Sequence, residues 1–175
     1  MKAVIDTNVL LVANEQHDDV SPDCVIECIT QLQTMQKAGV VVIDDGYRIL
    51  CEYQHKTSLK PPKGVGDKFL KWLLQHSGTT RVEQVSLSER DEDIFDEFPD
   101  SDLEPLFDAP DRKFAAVAHA HPDKPEIWQA ADCKWLDWWF ALKAKDVKVK
   151  FLCPDDVCGF YRQKFPDKPE PPIPG

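Results

Sequence analysis

The sequence predicts an α/β protein, a three-layer α/β/α sandwich around a mostly parallel sheet, and three observations carry that expectation. Short apolar runs rich in β-branched residues, such as Val40-Val-Val-Ile43, have no face suited to water and so belong to strands covered on both sides. These runs alternate along the chain with stretches of helical periodicity, the pattern of βα units. Finally, 175 residues with 42% hydrophobic and 30% charged side chains suffice for one core of this size and not for two.

The elements follow in order. Lys2 to Leu11 is apolar and β-branched, broken only by Asp6-Thr7-Asn8, and reads as a buried parallel strand whose C-terminal end carries polar groups. Ser21-Pro22-Asp23 supplies an N-cap with proline at the first helical position, and Val25, Ile26, Ile29, Leu32 and Met35 continue a helix to Gly39. Val40 to Ile43 is the second strand, after which Asp44 or Asp45 caps a helix containing Ile49, Leu50 and Tyr53. Lys60 to Gly66 is a Pro/Gly loop, Phe69 to Leu74 a helix and Val82 to Leu87 a short strand. Asp111 to Ala120 is an Ala-rich helix, Ile127 to Ala131 a strand, Trp135 to Lys145 a helix and Val147 to Leu152 the last strand. Five prolines between Pro166 and Gly175 forbid regular structure, so residues 1–165 are expected to form the domain and 166–175 a Pro-rich tail.

Composition excludes fibrous and disordered classes. The longest apolar stretches, Val9 to Ala13 and Gly39 to Ile43, are strand-sized, far below the roughly 20 residues of a membrane helix. Asp6 interrupts the first apolar run, as a secretory signal would not, and a cytoplasmic location is the expectation. The six cysteines are then expected as ordinary thiols; a zinc site from Cys24, Cys28, Cys153 and Cys158 is the rival reading, weakened by the lack of a CxxC pair.

The net charge of −10 is local. Between Glu89 and Asp111 eleven acids face one base, Arg90, while the rest of the chain carries 20 acids and 20 bases. An acidic insertion at about 88–108 results, read plainly as a solvated loop and functionally as a gate that repels non-specific polyanions or docks a basic partner.

Four acids stand where an apolar residue or an ordinary cap would have served. Asp6 ends the first strand, Glu52 lies on an apolar helix, Asp111 opens the Ala-rich helix and Asp132 follows the fourth strand. In a parallel sheet these positions fall at one edge, where ligands bind. Carboxylates that converge without a cation repel and take up protons, and a hard divalent ion, Mg²⁺ or Mn²⁺, removes the conflict.

The stretches Val4-Ile-Asp-Thr-Asn-Val-Leu-Leu11, Ile49-Leu-Cys-Glu-Tyr53, Ala109-Pro-Asp-Arg-Lys-Phe-Ala-Ala-Val-Ala118 and Ala130-Ala-Asp-Cys-Lys-Trp135 resemble, in order, the four acidic motifs of the PIN domain nucleases, including the VapC-type toxins of prokaryotes. The resemblance covers about residues 1–160. It implies a metal-dependent endoribonuclease in which Asp6, Glu52, Asp111 and Asp132 hold Mg²⁺ or Mn²⁺, Thr7 and Asn8 support them, and Asp137 adds a further acid. It also implies RNA as substrate, with an antitoxin or other basic protein, or a second copy of the chain, as partner. The fourth motif departs from the family pattern at Ala131 and Cys133, and Gln54 to Pro110 is expanded. The rival from another class is a non-catalytic PIN-like scaffold that binds proteins.

Other features rank lower. Lys60, Lys63, Lys68 and Lys71 are the best basic candidates for phosphate contact, against a solvated helix face. His119-Ala-His121 falls near a helix end, where the dipole alone accounts for histidine. Trp128, Trp135, Trp138, Trp139 and Phe140 suit base stacking in principle, but most are expected in the core.

Overall fold

The computed structural model describes residues 1–175. Seven helices flank a five-stranded, all-parallel sheet: β1 Lys2–Ile5, α1 Thr7–Ala13, α2 Pro22–Ala38, β2 Val40–Asp44, α3 Arg48–Lys56, α4 Val65–His76, β3 Val82–Val85, α5 Arg112–Ala120, β6 Glu126–Gln129, α6 Trp135–Lys143, β7 Val149–Phe151 and α7 Pro154–Lys164. The strand order is β3-β2-β1-β6-β7. Helices α1, α2 and α4 pack on one another, α5 lies along β1, β2 and β6, and α6 packs on β7. The three-layer α/β/α sandwich is therefore present. One cluster of 45 buried side chains runs through it, with Ala3, Val4, Ile5, Val41, Val42 and Ile43 fully covered. No helix is long and apolar enough to cross a membrane.

Local chemistry sets the boundaries. The first strand is shorter than its apolar run: it stops at Ile5, and Thr7 to Ala13 is helical because the Asp6 carboxylate accepts the Asn8 N–H at 2.9 Å and caps a turn there. Ser21 caps α2 as its sequence indicates, with its hydroxyl accepting the Cys24 N–H. The α3 helix is capped from the end of β2, where the fully buried Asp44 carboxylate accepts Arg48 N–H at 2.9 Å and Ile49 N–H at 3.0 Å. Gly66 is required by proximity, since a Cβ there would lie 2.2 Å from the Leu10 carbonyl oxygen where α4 crosses α1.

The acidic insertion is folded rather than loose. Glu89–Asp91 (β4) and Ile94–Phe95 (β5) form an antiparallel hairpin, and 3-10 turns follow at Glu104–Leu106 and Ala109–Asp111. Phe95, Phe98, Leu103 and Phe107 point inward. Phe107 stacks on Trp138 at 3.9 Å between ring centroids and meets Trp135 edge-on at 5.0 Å. Trp128, Trp135, Trp138 and Trp139 are all buried and Phe140 is exposed, as a core role for most of the aromatics requires.

Further differences from expectation follow. Helix α7 lies between the last expected strand and the tail, where the sequence reading assigns no element. Residues 166–175 contain no helix or strand, yet they are fastened down: Arg162 pairs with Glu170 at 2.9 Å, Trp139 donates its indole N–H to the Pro172 carbonyl at 2.9 Å, and Ile173 packs on the core. The cysteines are not all thiols, because Cys24 and Cys153 form a disulfide that ties α2 to the start of α7. Cys28, Cys51, Cys133 and Cys158 remain free thiols.

Candidate functional site

In the order β3-β2-β1-β6-β7 the direction of chain progression reverses between β1 and β6, and the crevice beyond the carboxyl ends of those two strands is where open parallel sheets bind ligands. Asp6 stands at that point. Its N–H donates to the Trp128 carbonyl of β6 at 3.0 Å, its Oδ1 caps α1, and its Oδ2 is buried with no hydrogen-bond partner. Asn8 braces the same crevice: its carboxamide oxygen accepts the Ala130 N–H at 2.9 Å and its amide nitrogen donates to Gln129. Three residues past β6, Asp132 accepts the Lys134 N–H at 3.2 Å. Asp111 ends the last 3-10 turn and leads into α5.

Glu52 arrives from α3, which is pinned to the end of β1 by the buried Tyr53 hydroxyl donating to the Ile5 carbonyl. The Glu52 carboxylate accepts the Thr7 hydroxyl and, at 3.0 Å, the ammonium of Lys113, which also donates to the Pro110 carbonyl. Lys113 is nearly covered, with 9% of its side chain exposed, so a buried cation sits among the acids.

The electrostatics show that the four acids share one neighbourhood. Burial pushes Asp6 up to about 7, the Asn8 N–H opposing and the charges of Asp132 and Glu52 adding to the rise. Asp111 is pushed up to about 9, by burial first and then by Asp6, Asp132 and Asp108. Asp132 also rises, again by burial, against the pull of the Lys134 N–H and ammonium. The acids are neighbours but not a tight cage. The only three Cys, His, Asp or Glu side chains whose ligand atoms all lie within 4.8 Å of one another are Cys24, Cys28 and Cys153.

A cavity of about 360 Å³ opens over Asp6, Thr7, Asn8, Glu52 and Asp132. Lys56 and Lys164 stand on its walls with His17 and Phe160, whose rings are 5.8 Å apart. The basic candidates read from sequence lie elsewhere: Lys60, Lys63, Lys68 and Lys71 are exposed on the loop before α4 and on α4, and none lines this cavity. Asp137 is turned away as well, accepting from the Tyr161 hydroxyl at 2.7 Å and from Lys168 at 3.1 Å, so it serves the packing of α7 and the tail. His121 is buried and paired with Glu83, and His119 meets the Glu97 carbonyl, which leaves neither as a ligand here.

Sequence reasoning missed Lys56, Lys113, Lys164 and Gln129. Lys56 follows Glu52 by one helical turn and so shares its face, a periodicity that was there to be used. Gln129 is a fully buried amide inside an apolar strand, with its side-chain nitrogen unpartnered. Lys164 depends on α7, which was not foreseen.

Against known proteins, no family model, no curated protein and no solved structure matches the chain.

Proposed function

We propose that the chain is a metal-dependent phosphodiesterase acting on RNA, an endonuclease of the PIN-like kind that its four acidic stretches resemble. One observation supports the reading: carboxylates from the residue after β1, from α3, from the 3-10 turn before α5 and from the loop after β6 are neighbours at the switch point of a parallel sheet, and three of them are pushed up by burial and by the charge of neighbouring acids. Folding brings such charges together at a cost unless a ligand of opposite charge belongs there. The donor set fits a hard divalent cation, being all carboxylate oxygen, and the orphaned Asp6 Oδ2 is a buried ligand atom without a protein partner.

Asp6, Asp111 and Asp132 would hold Mg²⁺ or Mn²⁺, with Glu52 at the rim of the same site. Such an ion supplies acidification of water and neutralisation of charge on a phosphate. The protein's own groups do the rest. Asn8 and Gln129 fix the angle between α1 and β6, which sets where Asp6 points. Lys113 pairs with Glu52 at 3.0 Å beside the cluster. Lys56 and Lys164 face the cavity and receive the phosphates on either side of the cut, while Phe160 and His17 offer rings to an unpaired base. Since water attacks and no side chain needs to, the products carry a 5′-phosphate and a 3′-hydroxyl.

A second reading, a PIN-like scaffold that binds proteins without catalysis, is favoured by the Lys113–Glu52 pair, which already neutralises one of the four acids. Incubating single-stranded RNA with the wild type in Mg²⁺, in Mn²⁺ and in chelator separates the two. Metal-dependent cuts with 5′-phosphate ends support the enzyme. Intact RNA under all three conditions leaves the scaffold, and cyclic 2′,3′-phosphate ends exclude the hydrolytic chemistry.

A further inference from the structure

Three sulfurs meet at a place the carboxylate site does not use. Cys24 lies in the first turn of α2, Cys28 follows one turn later, and Cys153 directly precedes α7. All three residues are buried and their Sγ atoms lie within 4.8 Å of one another. Cys24 and Cys153 are bonded, and the free Sγ of Cys28 stands 3.9 Å from that of Cys153. A cavity of about 470 Å³ reaches the bonded pair from solvent, with Cys24 and Cys153 in its lining and Asp23, Glu27, Asp155 and Asp156 around it.

A disulfide staple needs two sulfurs and draws nothing from surrounding acids, because it is neutral. Here a third sulfur is packed against it and four carboxylates ring the opening. The negative charge of Asp23, Glu27, Asp155 and Asp156 around the opening favours a cation over a bare thiolate there. The spacing agrees. Cys24 and Cys28 have the C-x₃-C separation found among zinc ligands, and tetrahedral Zn–S bonds of about 2.3 Å place thiolates about 3.8 Å apart. The Cys28–Cys153 distance of 3.9 Å already meets that requirement.

We propose that Cys24, Cys28 and Cys153 form a thiolate metal site for a soft tetrahedral cation of the Zn²⁺ class, open when the chain is reduced and closed by the Cys24–Cys153 bond when it is oxidised. Opening is a two-electron exchange with a dithiol reductant: its sulfurs become a disulfide, and its two protons pass to Cys24 and Cys153. Metal binding then releases the three thiol protons to solvent. The acidic cavity has room for a water or carboxylate as fourth ligand. The site does not depend on the nuclease reading, since none of its residues belongs to the carboxylate cluster.

The test uses the full chain, reduced with dithiol, stripped with chelator and titrated with Co²⁺, followed by displacement with Zn²⁺. The reduced wild type should bind one equivalent with sulfur-to-cobalt charge-transfer absorption, a band that carboxylate-bound cobalt does not give. Cys28→Ala, which keeps Cys24 and Cys153, should weaken that band and lose about a hundredfold or more in affinity, and Cys28→Ser should behave alike if the alanine variant folds poorly. The oxidised wild type should show no such band. A reduced wild type without the band, a Cys28 variant with wild-type affinity, or an oxidised protein that binds equally well would each overturn the proposal.

Discussion

Glu83 and Asp6 are carboxylates of the same parallel sheet, one near the amino ends of its strands and one at the carboxyl ends, and their surroundings are opposite. Glu83 accepts from His121, whose Nδ1 takes the Asp123 N–H at 3.0 Å and so leaves the Nε2 proton facing Glu83, and it pairs with Lys2 at 3.1 Å. Lys2 pairs with Asp123 as well. Burial pushes Glu83 upward, yet His121 and Lys2 outweigh it and hold the carboxyl below its usual range. Asp6 feels the same push from burial, but its neighbours are acids and it rises. What burial does to a carboxylate is thus decided by whether a base stands beside it. The amino edge resembles a finished structural network, whereas the carboxyl edge holds charge that the fold alone does not balance.

The largest effect should come from removing charge at the carboxyl edge. Asp6→Asn, Asp111→Asn and Asp132→Asn should each cut Mg²⁺-dependent RNA cleavage about a thousandfold or more, on the order of 4 kcal/mol, while the metal-free melting temperature holds or rises. Asparagine at position 6 can still cap α1, so a loss of melting temperature in all three variants would mark these acids as structural. Next in size, Mn²⁺ at about a hundred times its Kd should stabilise the wild type by about 2.7 kcal/mol in thermal unfolding and leave Asp6→Asn unmoved. A wild type indifferent to Mn²⁺ would put the carboxyl edge on the same footing as the amino edge.

At the amino edge the expected loss is purely one of stability. His121→Ala should lower the melting temperature by about 5 °C without changing Mn²⁺ affinity. The pH dependence sharpens the contrast, because the edges titrate with opposite sign. Asp6 and Asp111, raised to about 7 and about 9, contribute stability that is present in acid and lost as pH rises through those values. Glu83 and Asp123, held low, contribute stability present above the ordinary carboxylate range and lost as pH falls. Melting of the metal-free protein should therefore be highest at mildly acidic pH, and Asp6→Asn with Asp111→Asn should flatten only the alkaline limb. The smallest effect belongs to the cavity walls: Lys56→Gln or Lys164→Gln should raise KM for RNA about three- to tenfold, leave kcat near wild type and lessen the salt dependence.

The sheet was legible because its strands are apolar on both faces; Asp6, Asp111 and Asp132 stood out because each breaks an apolar or cap pattern at a strand or helix end, and Glu52 because it interrupts an apolar helix. What could not be read has physical causes. Leu10, Val12 and Ala13 continue the apolar run of β1, and a helix buried all round shows no periodicity to separate it from a strand; only the short Asp-Thr-Asn cap marks the change. Helix α7 buries just Val157 and Tyr161, too thin a stripe to register. The Cys24–Cys153 bond joins residues 129 apart, a proximity that only the assembled fold creates. Lys113 stands two residues from Asp111 but pairs with Glu52, 61 residues away, and Lys164 comes from α7, so both partnerships exist only in the assembled fold.

The stacking of Phe107 on Trp138 ties the insertion to α6, the helix that begins three residues after Asp132. Two indoles beside the candidate site thereby become optical witnesses of the segment that carries the chain's excess charge. Whatever draws the insertion away must also uncover Trp135 and Trp138, so its displacement is written into the colour and intensity of the protein's own fluorescence.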